Sequence, residues 1–271
     1  MEGPRPTSPR VIHADAQRAA EQLIRHFSTS GPHPGAEKLL VACMPKSASS
    51  RLASMIAMHP EVTKVTLNGN NFNDEPQLDR AQLIVLNWTK QVSQHHVAFG
   101  ATLPRLMHDY QVRVLVLVRN IFDVLVSAVE HIDRNNHFAH IAWIPANYCR
   151  FSHSQKLDFV IDHVAPFLIK FYVSWTHGLR EHTHLGALVT YDDVIAKPAE
   201  VLNQAFGLLN VASDENLLKN IISHEDDKVR ANFNVGIGGR GATLLSDYQR
   251  DRVKHIAQYY DSIDWEYVGL V

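Results

Sequence analysis

The sequence has little cysteine and no long apolar run. Its two cysteines, Cys43 and Cys149, are too few for a disulfide scaffold and too far apart for a CxxC redox or zinc motif. No window reaches the about 18 consecutive apolar residues that a membrane-spanning helix needs. The N-terminal stretch MEGPRPTSPR lacks the apolar run of a signal peptide. We therefore expect a protein of the reducing cytoplasm without a membrane span.

No charge of one sign dominates the sequence. Its 271 residues include 26 Lys and Arg and 28 Asp and Glu, which gives a net charge of −2 with histidine neutral. A nucleic-acid-binding protein would show a basic excess, so no nucleic-acid partner is expected. The hydrophobic content of 45% is that of a globular protein. Gly and Pro are spread evenly, so we predict one domain over 1–271, in which 1–36 form an N-terminal helical extension.

Short apolar segments typical of buried strands alternate with segments of helical periodicity. Strands are predicted at 38–44, 62–67, 92–99, 112–118 and 186–191. Helical segments are predicted at 13–27, 49–59, 75–88, 101–110, 119–132, 155–184, 192–210, 213–223 and 246–260, with 155–184 and 192–210 each containing one or two helices. This alternation indicates βαβ units and hence an α/β fold with a parallel sheet.

The loop after the first strand, PKSASS at 45–50, opens the helix that follows it. The backbone N–H groups at such a helix start, together with the helix dipole, form an anion site. Lys46 adds a positive charge, and Ser47, Ser49 and Ser50 add hydroxyl donors. This is not the P-loop of nucleotide hydrolases, because the glycines of G-x-x-x-x-G-K-[ST] are missing before Lys46. The alternative interpretation is a serine-rich turn that caps the helix.

The clearest strand, VRVLVLV at 112–118, is followed directly by Arg119. Ligands bind at the carboxyl ends of the strands in open α/β sheets, and an arginine there can hold an anion through forked hydrogen bonds. Ser127 follows about two helical turns later on the next helix. The alternative interpretation is a structural salt bridge from Arg119 to Asp123 or Glu130.

Together, these motifs closely resemble the signature of the sulfotransferases that use 3′-phosphoadenosine 5′-phosphosulfate (PAPS). The first two motifs of that family read like P-K-S-G-T-T-W-L and R-N-P-x-D-x-x-x-S; here they are PKSASSRL at 45–52 and RNIFDVLVS at 119–127. YDDVIAKP at 191–198 resembles the family's Y-E-D-L-x-x-x-P, and NVGIGGRGATLLSDYQ at 234–249 resembles its C-terminal glycine-rich loop. The resemblance implies an α/β fold, a three-layer sandwich with a central, mainly parallel sheet and a P-loop-like nucleotide fold. It also implies transfer of the sulfuryl group of PAPS to a hydroxyl or amine, with release of 3′-phosphoadenosine 5′-phosphate (PAP).

The same resemblance implies a set of residues that bind PAPS. Lys46 would stabilise the leaving oxygen between the sulfate and the 5′-phosphate, and the serines of its loop would hold that phosphate. Arg119, Ser127 and Arg240 would hold the 3′-phosphate, and Tyr191 would lie near the adenine. No metal is required for this chemistry. The full set is Lys46, Ser47, Ala48, Ser49, Ser50, Arg51, Arg119, Ser127, Tyr191, Gly239, Arg240 and Gly241.

Four positions depart from the first motif of the family. Ala48 stands where the motif has glycine, so we expect the loop to avoid a positive φ at this position. Arg51 replaces a tryptophan expected to stack on the adenine; its guanidinium could stack instead, or another aromatic side chain could serve. Ser49 and Ser50 replace two threonines and keep both hydroxyls.

The acceptor must lose a proton, and a base that titrates near neutral pH suits this step. The resemblance places a histidine on the strand before the arginine-bearing strand, where His95 and His96 stand here. We favour His96 as the catalytic base, with His95 as the alternative. A carboxylate is used in other branches of the family, and Glu130 or Glu75 could then serve.

The sequence does not identify the acceptor. We expect a small-molecule or carbohydrate acceptor, with Phe138, Trp143 and Tyr148 of the loop 133–153 lining its pocket. No metal site is predicted, since no spacing such as H-E-x-x-H occurs. The alternative functions are a nucleotide kinase or nucleoside-triphosphate hydrolase of related fold, and a non-catalytic nucleotide-binding relative. The C-terminal helix 246–260 either packs internally or forms a homodimer.

Overall fold

The computed structural model describes residues 36–67, 78–85, 89–135, 138, 141–232 and 238–271. The helix predicted at 13–27 lies outside these residues, as do Glu75 and the first part of the glycine-rich segment.

In the described part of the chain, five parallel strands form one sheet in the order β2-β3-β1-β4-β5. The strands are β1 (Lys38–Cys43), β2 (Val62–Lys64), β3 (Lys90–His95), β4 (Val112–Val118) and β5 (Gly186–Thr190). Ala42 of β1 lies opposite His95 of β3 and Val116 of β4. The carboxyl ends of β1, β3 and β4 therefore meet at one edge of the sheet.

Helices connect these strands and complete the fold. Before β5, the helices are α1 (Ser49–Ile56), α2 (Arg80–Val85), α3 (Leu103–Asp109), α4 (Ile121–Asn135), α5 (His153–His163) and α6 (Ala165–Glu181). After β5, they are α7 (Tyr191–Ala196), α8 (Pro198–Leu208), α9 (Glu215–Asn232), α10 (Arg240–Leu244) and α11 (Asp247–Ala257).

Alternation of side chains along the strands builds a core on each face of the sheet. Leu39 and Val41 of β1 pack on one face with α1, α8 and the first turns of α9. Leu40 and Ala42 pack on the other face with α4, α5 and α6. The result is the expected three-layer α/β sandwich with a central parallel sheet.

β3 ends earlier than the sequence predicts, at His95 rather than at residue 99. Beyond His95, the backbone bonds to a helix instead of to a neighbouring strand. The carbonyl of Val97 accepts a hydrogen bond from the Trp175 indole (2.8 Å), and the Phe99 N–H donates to the Ser174 hydroxyl (3.1 Å). The alternating sequence pattern thus continues to residue 99, but the backbone of 97–99 forms its hydrogen bonds with side chains of α6 instead of with a neighbouring strand.

The segment 155–184 forms two helices that meet at Val164. Pro166 lies in the first turn of α6, where its missing N–H is tolerated, whereas the same proline inside a continuous helix would break it. At the other end of the chain, the Ser246 side chain caps α11 by accepting a hydrogen bond from the Gln249 N–H. Val253 and Ala257 are buried in the core, so the apolar side of this helix packs internally.

The topology places a crevice at the carboxyl ends of β1 and β4. These two strands are neighbours, but α1 leaves β1 toward one face of the sheet and α4 leaves β4 toward the other. The loops after the two strands diverge, which is the geometry at which open α/β sheets bind ligands. Lys46 follows β1 and Arg119 follows β4, so both lie at this crevice.

Candidate active site

The loop between β1 and α1 is held in a sharply turned conformation. Lys46 and Ala48 both have left-handed backbones, with φ of 62° and 65°. The buried Ser47 hydroxyl donates to the Met44 carbonyl (2.6 Å) and braces the turn from inside. The expectation that Ala48 avoids a positive φ is therefore wrong: the loop keeps the left-handed shape without the glycine, at a cost of roughly 1–2 kcal/mol.

The three serines of the loop differ in where their hydroxyls point. Ser47 and Ser49 are buried, and Ser47 is engaged with its own loop. Ser50 is exposed and donates to the Gln94 side chain of β3 (3.3 Å). Ser47 is thus engaged with its own loop, whereas the N–H groups at the start of α1, Lys46, Ser49 and Ser50 stay predicted contacts for an anion.

Arg119 connects three elements at the crevice. Its Nη1 donates to the Lys46 carbonyl (2.7 Å), and its Nη2 lies 4.0 Å from Asp123 Oδ2 on α4. Its guanidinium also stacks over the Tyr191 ring at the start of α7, 4.0 Å from the ring centroid. The structural contact to Asp123 is present, and Arg119 also lies against Lys46 and Tyr191; its role in holding an anion stays a prediction.

The glycine-rich segment is fixed to the start of α4 by Asp123. The buried carboxylate accepts hydrogen bonds from the Gly239 N–H (2.8 Å) and the Gly241 N–H (2.7 Å), one on each oxygen. A Cβ at Gly241 would lie 2.3 Å from the Cβ of Phe122, so only glycine permits this approach. From the sequence, we expect only a salt bridge for Asp123, because its partners Gly239 and Gly241 lie more than a hundred residues away.

Arg240 lies between these glycines and forms a bidentate ion pair with Glu130, two turns along α4 from Asp123. The hydrogen bond from Arg240 lowers the pKa of Glu130 against the effect of burial, and the charges of Arg134 and Lys46 lower it further. A carboxylate held ionised in this way is a weak proton acceptor near neutral pH. The alternative of Glu130 as catalytic base is therefore disfavoured.

Lys46 extends from its loop toward α4. Its Nζ lies 3.4 Å from Nδ1 of His131, one helical turn beyond Ser127. Burial lowers the pKa of Lys46, and the charges of Arg134 and Arg119 lower it further, while Glu130 opposes them. His131 was not predicted as a site residue, although its position four residues after Ser127 places the two on one face of α4.

The adjacent histidines His95 and His96 lie in different environments. His95 is buried inside the sheet, where its Nε2 accepts from the Leu67 N–H (3.1 Å) and lies 2.5 Å from the Ser93 hydroxyl. Burial, with a smaller contribution from His96, lowers the pKa of His95 to about 4. His95 is therefore a neutral core residue, which leaves His96 as the better candidate for the base.

His96 lies beside the end of β1. Its Nδ1 is 2.8 Å from the Cys43 carbonyl and 3.4 Å from the Cys43 sulfur. Burial opposes protonation of His96, but the charge and hydrogen bonds of Cys43 outweigh it and raise its pKa overall. The carbonyl contact fixes Nδ1 as the protonated nitrogen, so Nε2 is the atom that takes up a further proton.

A model of the sulfotransferase domain matches residues 36–232 of the sequence. The chain belongs to the sulfotransferase family. Its fold is similar to mouse sulfotransferase SULT7A1 complexed with PAP, at 16% identity over 89% of this chain and 90% of that one, with a TM-score of 0.61. It is also similar to retinol dehydratase in complex with androsterone and inactive cofactor PAP, at 10% identity over 88% and 85% of the two chains, with a TM-score of 0.56. A search of curated proteins gives no significant match.

These findings confirm the predicted family and fold: the chain is a sulfotransferase by its family model, and its fold is similar to that of solved sulfotransferases. No helix in the described ranges is long and apolar enough to cross a membrane. Among the same residues, no group of three or more His, Cys, Asp or Glu side chains is arranged to hold a metal ion.

The side chains predicted to line the acceptor pocket of the sulfotransferase lie in different environments. Phe138 and Tyr148 are buried in the core, and the Phe138 ring contacts the ring of His131 edge-on, 5.6 Å between centroids. Trp143 is 86% exposed. Phe138 is thus linked to Lys46 through His131, which contacts both side chains.

Proposed function

We propose that the sulfotransferase transfers the sulfuryl group of PAPS to a hydroxyl or amine of a small-molecule or carbohydrate acceptor, at the crevice between β1 and β4. The observation that carries the assignment of this site is the hydrogen bond from Arg119 Nη1 to the Lys46 carbonyl (2.7 Å). This bond brings Lys46, which is proposed to contact the 5′-phosphosulfate of the donor, next to Arg119, which is proposed to contact its 3′-phosphate.

The residues of the crevice fit a donor that carries several phosphate and sulfate oxygens. Lys46, Arg119 and Arg240 bring three cations to one edge of the sheet, next to the N–H groups that open α1. Arg119 Nε is buried and has no hydrogen-bond acceptor among the described residues, so the protein does not saturate this guanidinium. Such a donor set suits phosphates, which take forked hydrogen bonds from arginine.

Lys46 is proposed to stabilise the oxygen that leaves with the 5′-phosphate. Negative charge grows on that oxygen as the bond from sulfur to it breaks, and a cation placed there lowers the barrier more than it tightens ground-state binding. The lowered pKa of Lys46 brings it closer to neutral pH, which makes proton donation to the leaving oxygen easier.

His96 is proposed as the base for the acceptor. As the new bond forms from the acceptor oxygen or nitrogen to sulfur, Nε2 of His96 takes the acceptor proton, and the electron pair of the broken S–O bond stays on the 5′-phosphate of PAP. The contact from Nδ1 to the Cys43 carbonyl holds the ring in the tautomer that this transfer needs.

A small-molecule acceptor is supported by the fold match to a retinol dehydratase structure that contains androsterone. Within this chain, the supporting feature is the contact of His131 with both Lys46 and Phe138, which places an aromatic ring near the reacting end of Lys46. The homodimer and the cytoplasmic location stay predictions.

Transfer of ³⁵S from labelled PAPS to 2-naphthol, androsterone and glucosamine tests this proposal. Lys46→Met and His96→Gln should each lower turnover by roughly 100-fold or more, while the affinity for PAP in His96→Gln stays within about twofold of wild type. His108→Gln, an exposed histidine on α3, is the matched control and should leave turnover unchanged. Full turnover in Lys46→Met or His96→Gln would overturn the assignment of that residue. The proposed function would be overturned if the wild type consumes no PAPS, neither by transfer to one of the three acceptors nor by slow hydrolysis in their absence.

A further inference from the structure

The ion pair between Arg240 and Glu130 involves a cation that the proposed donor site needs for another anion. Both guanidinium nitrogens Nη1 and Nη2 donate to the Glu130 carboxylate. The proposed function assigns the same guanidinium to the 3′-phosphate. A planar fork accepts one bidentate anion at a time on one edge, so the carboxylate and the phosphate compete for it.

The residues on either side of Arg240 are held by contacts other than this ion pair. Asp123 already holds Gly239 and Gly241 through their N–H groups, at 2.8 Å and 2.7 Å. The Arg240 side chain can therefore exchange its partner while its backbone stays in place against α4. Glu130 is not needed to bring Arg240 to the site.

Glu130 also has other partners when it releases Arg240. The charges of Lys46 and Arg134 act on the Glu130 carboxylate, and the Arg134 Nε donates to the Glu130 backbone carbonyl (3.1 Å). The side chains of Arg240 and Glu130 are 25% and 27% exposed, so water screens their attraction. A partly exposed pair of this kind is weak enough for a phosphate dianion to displace.

We propose that Glu130 competes with the 3′-phosphate for Arg240 and thereby limits how tightly the product PAP is held. This inference rests on the proposed function, since it assumes that the nucleotide binds at Arg240. If Arg240 is paired with Glu130 nine-tenths of the time, the apparent affinity for PAP is about tenfold weaker than that of a site without the carboxylate. Glu130 also takes Arg240 back while PAP is still bound, which shortens the lifetime of the complex; because product release limits many enzymes, this speeds turnover.

Calorimetric titration of PAP and AMP into wild type and Glu130→Gln tests the competition. Glu130→Gln should tighten PAP binding by about tenfold and slow PAP dissociation by a similar factor. AMP binding should change by less than about twofold, because AMP lacks the 3′-phosphate that reaches Arg240. Glu200→Gln, an exposed glutamate on α8, is the control for the same change in net charge and should alter neither affinity.

The double variant Glu130→Gln/Arg240→Ala separates competition from plain charge repulsion between Glu130 and the nucleotide. If Glu130 acts through Arg240, the gain in PAP affinity falls below about twofold in the Arg240→Ala background. A full tenfold gain in that background, or weaker PAP binding in Glu130→Gln alone, would overturn the inference while leaving the proposed function intact. Failure of the wild type to bind PAP would overturn both.

Discussion

At the scale of single residues, the active-site loop owes its shape to two non-glycine residues in the left-handed conformation. A left-handed alanine is disfavoured because its Cβ approaches the following carbonyl. The Ser47 hydroxyl and the Arg119 guanidinium hold the loop by hydrogen bonds to Met44 and Lys46. Local strain of this kind persists where the surrounding contacts fix the backbone, and it is concentrated at functional sites.

Ala48→Gly should therefore stabilise the protein. Glycine reaches φ of 65° without the Cβ penalty, and this gain exceeds the entropy that glycine adds to the unfolded chain, for a net effect of about 0.5–1 kcal/mol. Urea denaturation measures the change. Ala53→Gly, in the middle of α1, is the control and should destabilise by at least about 1 kcal/mol. Equal destabilisation by both substitutions would show that the loop gains nothing from glycine.

His95 should make the fold sensitive to acid. Its pKa is about 4 in the folded protein and 6.5 when unperturbed, so between these values the unfolded chain binds a proton that the folded one does not. The free energy of unfolding should therefore fall as pH drops from 6.5 toward 4, by up to roughly 3 kcal/mol from this residue.

The test is urea denaturation at pH 7.5 and pH 4.5 for the wild type and His95→Gln. The variant should be less stable at neutral pH, because it loses the contacts to Leu67 and Ser93, but it should lose less stability on acidification. His108→Gln should keep the acid sensitivity of the wild type, since His108 is exposed. The same loss of stability on acidification in His95→Gln as in wild type would contradict the neutral, buried state of His95.

At the scale of elements, the join between α10 and α4 depends on a glycine in close contact. Gly241 lets the segment approach Phe122, and Asp123 then binds two N–H groups at once. Gly239 adds a left-handed φ of 81° with nothing near its missing Cβ. Gly239 thus supplies the left-handed backbone conformation, and Gly241 allows the close approach of α10 to Phe122 on α4.

Gly241→Ala should weaken PAP binding. Its Cβ would lie 2.3 Å from the Phe122 Cβ and 2.8 Å from the Asp123 nitrogen, so α10 must shift away from α4. Loss of one hydrogen bond to the Asp123 carboxylate corresponds to roughly tenfold in the dissociation constant. Gly207→Ala on α8, where a Cβ meets nothing within 4 Å, should leave PAP affinity unchanged and stabilise the helix by up to about 1 kcal/mol. An unchanged PAP affinity in Gly241→Ala would show that this contact does not position the donor site.

At the scale of the whole molecule, the sequence predicts the alternating strands and helices well because burial and periodicity are local properties. Lys46 and Arg119 could be placed at one edge because residues that follow neighbouring parallel strands meet there. The resemblance favours His96 over His95, but the contacts that separate the two histidines involve Leu67 and Cys43, which come from other elements and are not visible in the local sequence. Asp123 and His131 likewise act on partners far away in the chain. The spacing from Ser127 places His131 on the same face of α4, but it does not reveal the contact with Lys46.

The same limit applies to Arg240. The resemblance places it in the donor site, but its pairing with Glu130 arises only when α10 packs on α4. The motifs thus identify candidate site residues, whereas the contacts that these residues form depend on long-range packing.

The most direct test of the central claim is calorimetric titration of the wild-type protein with PAP, AMP and ATP in the presence of a metal chelator. We expect PAP to bind at least about tenfold tighter than AMP, because the 3′-phosphate would add contacts to Arg119 and Arg240. Lys46→Ala and Arg119→Ala, checked for folding by circular dichroism, should each weaken PAP binding, and Arg119→Ala should also reduce the preference for PAP over AMP. Equal affinity for PAP and AMP, or binding of ATP only when Mg²⁺ is restored, would contradict a PAPS site at the crevice between β1 and β4.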